Sequence, residues 1–187
     1  MSLQEKYAVD EYDIEIKRIR EEHTARKFKT GDRVFDKVNP SGTLKEYYES
    51  EAREGFKVYV LIQSKDDEIA VGVIRIKFEL EGVSEEIPIL KGKAAIYWSR
   101  IGVYETRRGF GLGRVLREYF FHICRSEVVK LEKPLWIYLK TRDKPKMIRF
   151  FKPIGAAIVH RYDDPEWGKS VVMAFIVHPR SRKVNTA

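Results

Sequence analysis

The chain has 187 residues, long enough for one sizeable core and short for two, and its 43% apolar and 12% aromatic content argues against wholesale disorder. No apolar run approaches the roughly twenty residues that span a bilayer, Met1-Ser2-Leu3-Gln4-Glu5-Lys6 does not open a secretory signal, and the lone Cys124 excludes an internal disulfide framework and a multi-cysteine zinc site. The net charge of +8 is uneven, since residues 1–90 hold 15 Lys/Arg against 20 Asp/Glu while residues 91–187 hold 21 against 8. A basic half of this kind attracts polyanions, whether nucleic acids, acidic membranes or phosphorylated cofactors. The expectations are a reducing, cytoplasmic location and no membrane segment.

In chain order, Tyr12-Asp13-Ile14-Glu15-Ile16-Lys17 alternates with period two and predicts a half-exposed first strand. Residues 20–40 are polar and irregular and end in the turn cluster Asn39-Pro40-Ser41-Gly42. Thr43, with Glu46 three residues on, forms a capping box for a helix to about Arg53, with Leu44, Tyr47, Tyr48 and Ala52 on one face. Phe56–Gln63 and Ile69–Leu80 predict a hairpin around Lys65-Asp66-Asp67-Glu68. Residues 81–93 read as a loop insertion of poor regularity, and Ala94–Val103 as a fourth strand.

A glycine-rich turn follows, Arg108-Gly109-Phe110-Gly111-Leu112-Gly113-Arg114. From Gly111 the spacing of Leu112, Val115, Leu116, Tyr119, Phe120 and Ile123 is helical. Leu135–Thr141 predicts a fifth strand, and residues 145–152 a short helix with Pro145 in its first turn. Ala156–Tyr162 and Lys169–His178 predict a last hairpin, and the basic tail from about residue 180 is expected to fray. One α+β domain over residues 1–187, built on a mixed sheet, is the resulting expectation.

Strand, glycine-rich turn and helix is an arrangement for holding phosphate. The first helical turn leaves N–H groups without acceptors, and the helix dipole favours an anion there. Glycines at 109, 111 and 113 permit positive φ and close approach of a ligand, and Arg108 and Arg114 can add charge-assisted hydrogen bonds. A dinucleotide fingerprint would need glycine where Arg114 stands, and a P-loop would need Gly-Lys-Ser/Thr. A turn with no ligand is the other reading.

These residues resemble the GNAT acetyltransferase superfamily, whose Arg/Gln-x-x-Gly-x-Gly/Ala follows a fourth strand as Arg108-Gly109-Phe110-Gly111-Leu112-Gly113 does here. The order of elements from residue 12 to 178 is similar as well. The resemblance implies a mixed, mostly antiparallel sheet of six to seven strands flanked by helices and splayed between strands 4 and 5. It implies acetyl-CoA as co-substrate and no metal, with transfer of the acetyl group to a primary amine by direct attack in a ternary complex. Ile101, Gly102 and Val103 would bind pantetheine through backbone groups, the Val103 N–H or a near neighbour would act as oxyanion donor, and the turn from Arg108 to Arg114 would hold the pyrophosphate.

Many relatives carry Asn-x-x-Ala-x-x-x-Tyr-x-x-x-Gly-Phe after the fifth strand, with the tyrosine hydroxyl protonating the departing thiolate. Aligned on Gly155-Ala156, that pattern places Lys144 at the asparagine, Met147 at the alanine and Phe151 at the tyrosine. Phenylalanine has no proton to give. The thiolate would leave unaided, Tyr162 would serve, or the domain would bind acyl-CoA without turnover. Relatives with a carboxylate base on the fourth strand have it where Tyr97 stands; a phenol of pKa near 10 is a poor base at neutral pH, and an ordinary strand aromatic is the competing reading.

The amine could lie on a protein, a small molecule or tRNA. Toxin-type relatives that acetylate charged tRNA show Glu-His, four residues, then Phe-x-x-Gly, similar to Glu22-His23-Thr24-Ala25-Arg26-Lys27-Phe28-Lys29-Thr30-Gly31. Their Leu-x-x-Trp-Leu-x-x-x-Ala is similar to Leu44-Lys45-Glu46-Tyr47-Tyr48-Glu49-Ser50-Glu51-Ala52. A monomer and a homodimer are both compatible with the sequence.

Overall fold

A computed structural model describes residues 13–18, 48, 49, 51, 53–64, 69–83, 87–103 and 108–179. The Thr43 capping box, the turn at 39–42, the loop 20–40, the Glu22–Gly31 match, the turn at 65–68 and the tail from 180 lie outside the described residues.

Seven strands form one mixed sheet in the order β1-β2-β3-β4-β5-β7-β6. They are β1 (Asp13–Arg18), β2 (Phe56–Ser64), β3 (Ile69–Glu79), β4 (Ala95–Val103), β5 (Leu135–Arg142), β6 (Ala157–Asp164) and β7 (Gly168–Val177). Pairing is antiparallel for β1/β2, β2/β3, β5/β7 and β6/β7, and parallel for β4/β5. Two helices are α1 (Leu112–Leu131) and α2 (Pro145–Phe151), and residues 48, 49, 51, 53 and 54 are also helical. The strands and helices expected from periodicity therefore form, with ends moved by a residue or two.

Internal packing divides the chain into Met1–Phe78 with Trp98–Phe120, and Glu79–Tyr97 with Phe121–Ala187. Strand β4 and helix α1 each contribute to both units. In the first unit, Val58, Val60, Leu61, Val73, Ile74, Ile76, Leu116 and Phe120 are fully buried. Gly72 on β3 is the tightest point. A Cβ there would lie 2.8 Å from Leu116 Cδ1, 3.1 Å from the Gly102 carbonyl oxygen and 3.4 Å from Leu61 Cβ. Absence of a side chain at residue 72 thus lets β2, β4 and α1 converge on β3. Glu51 closes the open side of this unit, accepting from the Arg18 guanidinium and, at 3.2 Å, from the Val58 N–H.

In the second unit, the described residues 81–83 and 87–93 correct the expectation of an irregular loop. Val83 bridges Lys91 in parallel, Pro88–Leu90 forms a 3-10 turn, and Val83, Ile87 and Leu90 pack with Ala95, Tyr138, Val172 and Ala174. These apolar residues have no helical or strand period, so only their tertiary seat reveals the order. Beside them the Tyr138 hydroxyl donates to Glu79 Oε2 at 2.7 Å. Cys124 on α1 is buried, and desolvation of the thiolate pushes its pKa up, with the Arg125 charge opposing weakly.

Two outcomes are expected. Gly72→Ala should lower the urea midpoint by the equivalent of about 1–3 kcal/mol, since every neighbour of the new methyl is packed. Cys124 should react with a thiol reagent at neutral pH only as fast as the protein opens, because the thiolate is the reactive form; rapid labelling of the native state would contradict its burial.

Candidate acyl-CoA site

The first unit carries the glycine-rich turn. Gly109 (φ 92°) and Gly111 (φ 77°) both adopt the left-handed backbone that other residues reach only at a cost. Helix α1 begins at once. The Gly111 carbonyl accepts from the Arg114 N–H at 2.8 Å and from the Val115 N–H at 3.2 Å, so Gly111 caps the helix. The N–H groups of Gly111, Leu112 and Gly113 then precede any intrahelical acceptor. Arg108, Gly109, Phe110 and Gly111 are exposed, and a Cβ added at 109 or 111 would meet nothing within 4 Å. The turn is not covered by its own side chains.

The glycines differ in role. Gly113 has an ordinary helical backbone, and a Cβ there would make only a 3.8 Å contact with Val103 Cγ2. Leu112 is buried and offers the site only its backbone, whereas the Phe110 ring is 55% exposed. Arg108 Nε donates to the Val103 carbonyl at 3.2 Å, tying the turn back to the end of β4. Arg114 Nε donates to Glu118 Oε1 at 3.0 Å on an exposed helix face. A guanidinium has five N–H donors, so each arginine keeps others for an anion. Ile101 and Val103 are half-buried and Gly102 buried, its carbonyl against Gly72.

The remaining candidates belong to the second unit. The β4/β5 ladder runs from Ala95–Trp136 to Tyr97–Tyr138. The Tyr97 ring lies on Tyr138 with centroids 4.8 Å apart and planes at 14°. Lys144 is exposed, and its carbonyl caps α2 by accepting from Met147 at 2.9 Å and Ile148 at 3.1 Å. Phe151 is buried, with its ring edge-on to Phe150.

Comparison with solved structures identifies this architecture. Arabidopsis thaliana NAA60 in complex with acetyl-CoA superposes with a TM-score of 0.66 at 16% identity, over 88% of this chain and 99% of that one. Arabidopsis thaliana Naa50 with the bisubstrate analogue CoA-Ac-MVNAL gives 0.60 at 18% identity, over 87% and 97%. The chain has the GNAT fold. AtaT complexed with acetyl-methionyl-tRNAfMet shares it too, with a TM-score of 0.59 at 11% identity over 87% and 94%. No protein-family model and no curated protein matches the sequence.

Gly72 escaped the sequence reading, although an isolated glycine inside a strand pattern marks close backbone approach. The glycine roles are separable by substitution. Gly109→Ala and Gly111→Ala should each cost about 1–2 kcal/mol of stability through the left-handed backbone. Gly113→Ala should leave the melting temperature unchanged or slightly raised, since alanine favours a helix over glycine by about 1 kcal/mol, and any lost ligand affinity in that variant then reports crowding of a ligand.

Proposed function

We propose that the chain is a single functional domain that transfers the acetyl group of acetyl-CoA to a primary amine. The observation that carries this reading is the open turn at 108–111. Two left-handed glycines stand there in open space at a helix start, an arrangement suited to holding a diphosphate through backbone N–H groups. The GNAT fold supports it, and NAA60 in complex with acetyl-CoA has that fold. Bound acetyl-CoA would supply an activated thioester. Gly109 through Arg114 would hold the pyrophosphate through backbone N–H groups, with Arg108 and Arg114 adding charge. Backbone groups of Ile101, Gly102 and Val103 would orient the pantetheine and polarise the thioester carbonyl. Positioning and a preorganised oxyanion donor can supply most of the acceleration in such a transfer.

Phe151 bears on turnover. It is 5% exposed and has no hydroxyl, so protonation of the thiolate would fall to another group or to water.

An amine carried by aminoacyl-tRNA is the second reading, and α2 favours it. Lys144, Lys146, Arg149 and Lys152 are exposed there beside Phe150, which is 41% exposed. Cations that meet phosphates next to an aromatic face that stacks on bases suit a nucleic acid. AtaT, which shares the fold, has been seen with acetyl-methionyl-tRNAfMet.

Calorimetric titration with acetyl-CoA should show saturable binding. Replacing Gly111 and Gly113 together by tryptophan should weaken it about tenfold or more, at least about 1.4 kcal/mol. Unchanged affinity in that variant would remove the site. With binding in hand, Phe151→Tyr should raise the rate of CoA release on an amine pool if the missing acid limits turnover. Charged tRNA left unmodified at high enzyme excess would eliminate the second reading.

A further inference from the structure

Backbone conformation and burial account for most of the turn from Arg108 to Gly113. Gly109 and Gly111 hold the left-handed angles, Gly111 caps α1, and Leu112 is buried at 5% exposure. Phe110 answers to neither. Its φ lies outside the left-handed region, so its backbone suits most side chains. Its ring is 55% exposed, more than that of any other phenylalanine among the described residues. The aromatic ring at 110 therefore contributes little of the burial that usually justifies one. Both chain neighbours are glycines with no side chain to lie across it, and a Cβ added at either would meet nothing within 4 Å. A flat group can reach the ring from solvent.

The ligand proposed for this turn carries one such group. Adenine is joined to the pyrophosphate of CoA through a single ribose, and Phe110 directly precedes the N–H groups of residues 111–113. A diphosphate held on those amides keeps the base close to the turn, so its meeting with a neighbouring ring becomes intramolecular. The other side chains here suit other parts of the ligand. Arg108 and Arg114 favour phosphate oxygens, and Leu112 is buried. Phe110 is left as the side chain suited to a base, because every base has a π-face that stacks on an aromatic ring.

We propose that Phe110 is a specificity-determining residue of the acyl-CoA site, stacking on the adenine so that the turn selects the complete nucleotide over shorter pantetheine thioesters. The proposal rests on the acetyl-CoA reading above and adds a contact with the base to backbone contacts with the diphosphate. Phe110 touches no reacting atom, so its effect falls on affinity and not on the chemical step.

Proton NMR of CoA titrated with the protein tests the contact directly, because a ring current moves the protons of a stacked base upfield. In wild type the adenine H2 and H8 resonances move upfield on binding. In Phe110→Leu that shift is lost and CoA binds about tenfold more weakly. Affinity for S-acetyl-4′-phosphopantetheine, which has neither the ribose nor the base, stays within about twofold of wild type. Phe110→Trp restores the shift and the affinity for CoA. An upfield shift that persists in Phe110→Leu, or an equal loss of affinity for both ligands, overturns the proposal. Wild type that binds CoA with no upfield shift overturns it and leaves the binding reading intact, whereas wild type that does not bind CoA overturns both.

Discussion

Close approach at Gly72 is the constraint on which the first unit depends. A helix can pack against a strand only as near as side chains allow, and Leu116 of α1 sits where a β-carbon of residue 72 would be. The same missing methyl admits the Gly102 carbonyl, so one glycine sets both the seat of the helix and the path of β4. From that seat α1 projects its first turn, with Gly111 as the cap. A larger residue at 72 would disturb the strand and the helix start together, because interiors at native packing density transmit strain rather than absorb it.

The turn between them follows a different rule. Gly109 and Gly111 are glycines for their backbone angles, not for crowding, since space around them is open. The Arg108 link to the Val103 carbonyl joins the end of β4 to this turn.

The second unit is organised by burial of aromatic and apolar residues around a few polar pairs. Tyr138 illustrates it: its ring supports Tyr97 and packs with Val83, Ile87 and Leu90, while its hydroxyl is satisfied by Glu79. Phe151 is buried, with its ring edge-on to Phe150. Lys144, Lys146, Arg149 and Lys152, in and beside α2, are exposed cations of this unit.

Much of this was legible in the residues themselves. Period-two and helical spacings placed the strands and α1 because each element must bury one face, and the glycines at 109 and 111 announced a backbone that only glycine adopts cheaply. The resemblance carried by Arg108 to Gly113 led to the GNAT fold for the same local reason. What tertiary structure alone decided is different in kind. That Gly72 faces Gly102 and Leu116, and that Val83, Ile87 and Leu90 pack with Ala95 and Tyr138, depends on chain segments brought together across the fold. No local pattern records such distances, because periodicity states which face is buried and never what lies against it.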